Sequence, residues 1–173
     1  MDAPVADMTR RAGLTGAAES VIATWGILGG VMVLAVVLMN VWSVVGAVVG
    51  LPFSGDFELT EMGIAIAAFA FLPYCQLTGA NVTADIFTAR ASALWISIFA
   101  LVASMVALFF GLLMIYSMYG GLLSQREYHY ATAILQIPIW WAYVPCLISL
   151  LLLAVAALIT LLENLGKVAR GGN

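Results

Sequence analysis

Few residues in this 173-residue chain could do acid–base, redox or metal chemistry: nine Asp or Glu, six Lys or Arg, one histidine and two cysteines. Cys75 and Cys146 lie in apolar stretches with no Cys-x-x-Cys pair, which excludes a quinone-linked thiol oxidase and favours small hydrophobes. A haem held by two histidines needs one more than His129 supplies. His129 lies in a polar segment between Tyr128 and Tyr130, away from any serine in an apolar run, so intramembrane serine hydrolysis lacks its base. The carboxylates fall at expected helix ends, in loops or in terminal segments, where a proton-coupled pump or small multidrug exporter would want one at membrane depth. No catalytic residue, metal ligand or cofactor-binding residue is expected, and the scattered charges make no nucleic-acid site.

The elements that would position these residues are membrane helices. Hydrophobic residues make up 64% of the chain and charged residues 9%, with a mean hydropathy of +1.10, against roughly 25% charged in a soluble domain. A hydrocarbon core about 30 Å thick takes about 20 apolar residues per helix. Four segments meet that length, about 21–49, 58–78, 91–119 and 137–162, and the expected fold is an all-α membrane protein with one domain, 21–162. Residues 1–20 and 163–173 are expected to be terminal segments, and the first run is too long for a secretory signal.

Local chemistry separates the spans. Pro52 and Gly55 stop the first, while Asp56 can cap the second helix and Glu58 suits its positive end. Gly79 opens the next turn, and Asp85 is placed to cap the third helix. Gly120-Gly121 is expected to close the third helix and Pro138 to sit in the first turn of the fourth. Pro73 and Pro145 fall inside spans, where a kink is expected. Five basic residues (Arg10, Arg11, Arg90, Lys167, Arg170) share one side and Arg126 stands alone on the other, so both termini are expected in the cytoplasm. Trp25 and Trp95 are expected at the inner boundary, and Tyr116, Tyr119, Trp140, Trp141 and Tyr143 at the outer one.

The interiors carry packing chemistry. Gly26-x-x-x-Gly30 and Gly46-x-x-x-Gly50 in the first span, and Ser117-x-x-x-Gly121 at the end of the third, have the spacing that permits close helix approach. Asn40 is expected to relieve its burial by an interhelical hydrogen bond within the chain. Gln76 and Thr78 are the other polar groups of note.

Three stretches in order carry a family resemblance. They are Phe57-Glu58-Leu59-Thr60-Glu61-Met62-Gly63; Leu77 to Phe87, with Gly79, Val82 and Asp85 in a Gly-x-x-Val-x-x-Asp turn; and Ala133-Ile134-Leu135-Gln136-Ile137-Pro138-Ile139-Trp140, with a Leu-x-Ile-Pro-x-Trp entry into the fourth helix. Together with the four-span layout, the region from about Val21 to Leu162 resembles the small membrane (Q) subunit of tripartite ATP-independent periplasmic (TRAP) transporters. Many members carry a basic residue shortly before the Gly79 position and a His at that of Asn81, where this chain has Gln76, Leu77 and Asn.

The resemblance implies a multi-pass subunit of a bacterial inner membrane that supports a large elevator subunit. In such a system a periplasmic binding protein delivers an organic acid, and the large subunit moves it with a sodium gradient. The implied partners are that large subunit, the binding protein and membrane lipid, with no cofactor in this chain. Glu58, Glu61 and the Arg126, Glu127 and Tyr128 segment are expected on the outer docking surface, with Asp85 and Arg90 orienting the inner turn. The alternative is a self-sufficient, homo-oligomeric four-helix transporter or channel, whose polar seam would rest on Asn40, Gln76 and hydroxyl residues.

Overall fold

The structure, a computed structural model, describes residues 14–51, 53–79 and 93–169. Four helices follow in order: α1 Leu14–Val48, α2 Asp56–Thr78, α3 Ala93–Glu127 and α4 Trp140–Ala169. Each is long and apolar enough to cross a membrane. Among the described residues the extended structure is a single antiparallel bridge between Ala131 and Pro138. The chain is a four-span, all-α membrane protein, as the length of its apolar runs predicts.

Two helices are much longer than a perpendicular crossing requires. At 35 residues each, α1 and α3 measure about 52 Å, well beyond a perpendicular crossing of about 30 Å. The expected stop at Gly120-Gly121 does not occur, and α3 continues to Glu127. A glycine costs a helix about 1 kcal/mol. A backbone group stripped of both helix and water costs several, so near hydrocarbon the helix continues.

At the other end, α1 starts at Leu14, inside the segment expected to lie outside the membrane domain. The extension brings Glu19 into the packed bundle at 4% exposure, within the candidate span Gly16–Val48. Glu19, in the second turn of α1, is thus a carboxylate buried near a helix end, and it is engaged with its surroundings.

The packing order is α1, α2, α4, α3, with a smaller α1–α4 contact. Helix α4 is the centre: Cys146, Ser149, Leu150, Ala156 and Ala157 are buried along it, at spacings that keep them on one side. Ile22, Gly26, Gly29 and Val36 are buried on α1, and Gly63, Ala67 and Ala70 on α2. Each run follows the 4–3 spacing of a close helix seam. Lipid tails are as apolar as Leu, so this seam is held by van der Waals packing and hydrogen bonds rather than by water exclusion.

The glycines divide by role. A Cβ on Gly29 would lie 2.8 Å from the Ala70 Cβ, and one on Gly63 would lie 2.5 Å from Val36 Cγ2. One on Gly26 would make an ordinary 3.5 Å contact with Tyr74, while Gly30, expected to pack, has open space. Gly46 and Gly50, also expected in packing, close α1 instead. The Leu51 N–H donates to the Gly46 carbonyl at 2.8 Å, and the Gly50 N–H to that of Ala47 at 3.4 Å, with Gly50 at φ +79°. This is a Schellman cap, and the missing Cβ of Gly46 leaves room for the Leu51 carbonyl.

Polar pairs tie every major interface. Asn40 donates to Thr60 Oγ1 across α1–α2 at 2.8 Å, and Gln76 to Thr160 Oγ1 across α2–α4 at 3.1 Å. Asn164 donates to Ser104 Oγ across α3–α4 at 2.8 Å. The Trp25 indole N–H donates to Ser149 Oγ in α4 at 2.9 Å, so this tryptophan ties two helices together. Pro73 and Pro145 sit inside helices that run on through them.

Candidate functional site

The end of the bundle that carries the α1–α2 turn and the α3–α4 loop gathers most of the residues singled out by sequence. The α3–α4 loop begins where His129, at φ +52°, closes α3. The Tyr130 N–H donates to the Gln125 carbonyl at 3.2 Å and the His129 N–H to that of Arg126 at 3.3 Å. That is a second Schellman cap, with histidine where glycine is usual. The chain then doubles back: the Ile139 N–H donates to the Tyr130 carbonyl at 3.0 Å, and the Thr132 N–H to that of Ile137 at 3.0 Å. The Ile137 N–H donates to Thr132 Oγ1 at 3.1 Å, and Gln136 turns the tip at φ +53°. Pro138 lies in this paired stem, two residues before α4, rather than in the helix's first turn.

Glu58 fastens this loop to α2. Its carboxylate accepts the N–H groups of Ile134 at 2.7 Å and Leu135 at 3.0 Å, one on each oxygen. Charge-assisted bonds of this kind are the strong class. Leu135 also rests against Gly55, where a Cβ would lie 2.5 Å from its Cγ. Gly55, at φ +92°, is the cap residue of α2, so a substitution there meets both steric and backbone strain.

Asp56 is the first residue of α2. Its carboxylate accepts the first-turn Phe57 N–H at 2.8 Å and a hydrogen bond from the Ser43 hydroxyl of α1. It thereby joins the two sides of the α1–α2 turn.

The remaining sequence-predicted residues spread around this clamp. Glu61 lies one turn further along α2 and is exposed. Arg126 and Glu127 are in the last turn of α3 rather than in a loop, and the Arg126 guanidinium lies 5.9 Å from the Trp140 ring centroid, within cation–π range. Tyr128 and Tyr130 lean together with centroids 5.9 Å apart. Both are exposed, as are Phe57, Ile134 and Trp141. The surface is therefore an aromatic and apolar platform edged by Glu61, Arg126 and Glu127. Asp85 and Arg90 lie outside the described residues. Ile134 and Leu135 lie in the third resemblance stretch, but their pairing with Glu58 was not read from sequence, since a backbone amide 76 residues from its acceptor leaves no local signal.

Among the described residues no cluster of His, Cys, Asp or Glu could hold a metal ion. The architecture defines a class: a polytopic helical membrane protein whose organised polar chemistry lies in interhelical ties and in one braced loop. Residues 36–167 match the family model described as "Tripartite ATP-independent periplasmic transporters, DctQ component", and the chain belongs to that family. It is a small membrane component of a TRAP transporter. No curated protein and no solved structure matches it at a significant level.

Proposed function

We propose that this chain is a non-catalytic scaffold in the bacterial inner membrane, with both termini in the cytoplasm. It holds a large elevator subunit in place while that subunit takes up an organic acid, delivered by a periplasmic binding protein, at the expense of a sodium gradient. Membership of the family over residues 36–167 carries the reading. Physical support comes from the exposed apolar faces of α1 and α3, which supply the long contact a membrane partner needs. The braced loop supports the docking role. A binding protein that arrives and leaves repeatedly is best met by a platform whose backbone is already ordered, because less entropy is lost at each encounter.

Glu19 is the one observation that favours the alternative of a self-sufficient transporter, since a carboxylate inside a bundle can serve ion movement. One comparison separates the two readings. With the large subunit and the binding protein present, uptake should require this chain, and the chain should co-purify with the large subunit in mild detergent. Reconstituted alone in liposomes, it should accumulate no solute under a sodium or proton gradient. Accumulation by the chain alone would overturn the scaffold reading.

A further inference from the structure

Beside the loop clamp, a cavity of about 650 Å³ runs between α2 and α4 beneath the α3–α4 loop, with Met118 of α3 on its wall. Its α2 wall extends from Phe57 to Phe69, and the facing wall from Ile139, just before α4, to Cys146. Twelve residues of helix span about 18 Å, close to the roughly 15 Å of one leaflet's hydrocarbon. Along α2 the groove therefore reaches about the depth of a single leaflet, and along α4 about 10 Å. The lining is almost wholly apolar, and its acidic members, Glu58 and Glu61, both lie at the Phe57 end of α2.

Glu58 is engaged with the loop, but Glu61 has no hydrogen bond or ion pair among the described residues. Arg126 lies over Trp140. A groove open to hydrocarbon does not stay empty, so the question is what fills it. A spanning partner helix needs about 30 Å of groove. A helix of 18 Å length and 10–12 Å diameter occupies roughly 1,400–2,000 Å³, more than the roughly 1,280 Å³ of empty space in the groove. A single acyl chain needs neither that length nor that girth.

We infer that the groove holds one acyl chain of a phospholipid from the leaflet at the loop end, and that Glu61 selects a headgroup carrying a primary ammonium. The apolar walls accept any acyl chain, because they offer no advantage over neighbouring lipid. Selection therefore falls to the headgroup. An ammonium complements the Glu61 carboxylate, whereas an anionic headgroup meets two negative charges at the rim. This inference goes beyond the scaffold reading and depends only on the chain spanning a membrane with its loops at an interface.

The test uses the full chain in nanodiscs of equal phosphatidylethanolamine and phosphatidylglycerol, extracted gently, with the retained lipid measured by native mass spectrometry. Phosphatidylethanolamine should be retained about two- to fivefold over phosphatidylglycerol, the range of a solvent-exposed charge pair. Glu61→Gln should remove the preference but leave the amount of lipid unchanged. Ala65→Phe, which fills the groove from its α2 wall, should lower the amount retained without depending on headgroup. Circular dichroism verifies that each variant keeps its helices. Equal retention of the two lipids by the parent chain, an undiminished preference in Glu61→Gln, or unchanged retention in Ala65→Phe would each overturn the proposal. So would crosslinking of an Ala65→Cys variant to a helix of the large subunit in the assembled complex. The scaffold reading survives all of these results, since its own test is uptake.

Discussion

Adjacent glycines on α1 offer a controlled measurement of how closely α1 and α2 are packed. A methyl group added at Gly29 would start 2.8 Å from the Ala70 Cβ, whereas one added at Gly30 meets nothing within 4 Å. Carbon atoms settle at about 3.5–4.0 Å, so Gly29→Ala requires the two helices to part locally by about 0.7–1.2 Å. Overpacking of this kind costs about 1–3 kcal/mol. Both substitutions gain the same helix propensity, about 1 kcal/mol, so it cancels when the variants are compared. Gly30→Ala should be the more stable by about 1–3 kcal/mol, or about 5- to 150-fold in the unfolding equilibrium.

Reversible unfolding of the purified chain in mixed micelles, followed by circular dichroism, reads this difference directly. Ala70→Gly should restore stability specifically in the Gly29→Ala background, and the double-mutant cycle isolates that coupling from the intrinsic cost of another glycine. If Gly30→Ala destabilises as much as Gly29→Ala, or Ala70→Gly rescues neither, the assigned α1–α2 seam is wrong.

Three further outcomes follow from the same geometry. Asn40→Ala and Thr60→Ala should each destabilise the bundle, with a coupling of about 0.6 kcal/mol and no more than about 1.7, measured by the same unfolding cycle. Glu58→Gln should speed hydrogen exchange at the Ile134 and Leu135 amides while leaving the α4 core near Leu150 unchanged, because only the loop loses its charged acceptor. His129→Gly should raise stability by up to about 1 kcal/mol, since a left-handed non-glycine residue carries a penalty of about 1–2 kcal/mol and glycine's greater freedom in the unfolded chain returns part of it. Loss of transport in that variant without loss of stability would reveal a role for the imidazole beyond closing α3.

Four spans were legible because apolar runs of that length have one physical solution in lipid. The family was legible from the stretches around Glu58, Gly79 and Pro138. Their ends were less so. Gly120-Gly121 looks like a stop when glycine is judged by its behaviour in water, yet α3 passes through it. Glu19 precedes the first ionisable-free run, and only the packing of α1 shows it buried.

Four-residue glycine spacing identified α1 as a packing helix, but of its four members only Gly26 meets α2. The motif counts positions without knowing which face meets α2, and that face carries Gly29 rather than Gly30. The Gly63, Ala67 and Ala70 run on α2 carried the complementary signal. Gly50 followed by Pro52 was also a readable C-cap pattern, since proline often follows a helix end closed by glycine. The Glu58 clamp was out of reach because it joins a side chain to amides far along the chain, and amides carry no residue-specific mark.

Helix α3 packs chiefly on α4, the last helix in the chain. During synthesis the hairpin of α1 and α2 can close as soon as both have left the ribosome. The third span must then wait in the bilayer with no steady neighbour until the fourth arrives. A product cut short before Trp140 should therefore leave a settled hairpin and a stray helix, an obvious target for membrane quality-control proteases. The last stretch of the message thus decides whether the third span survives.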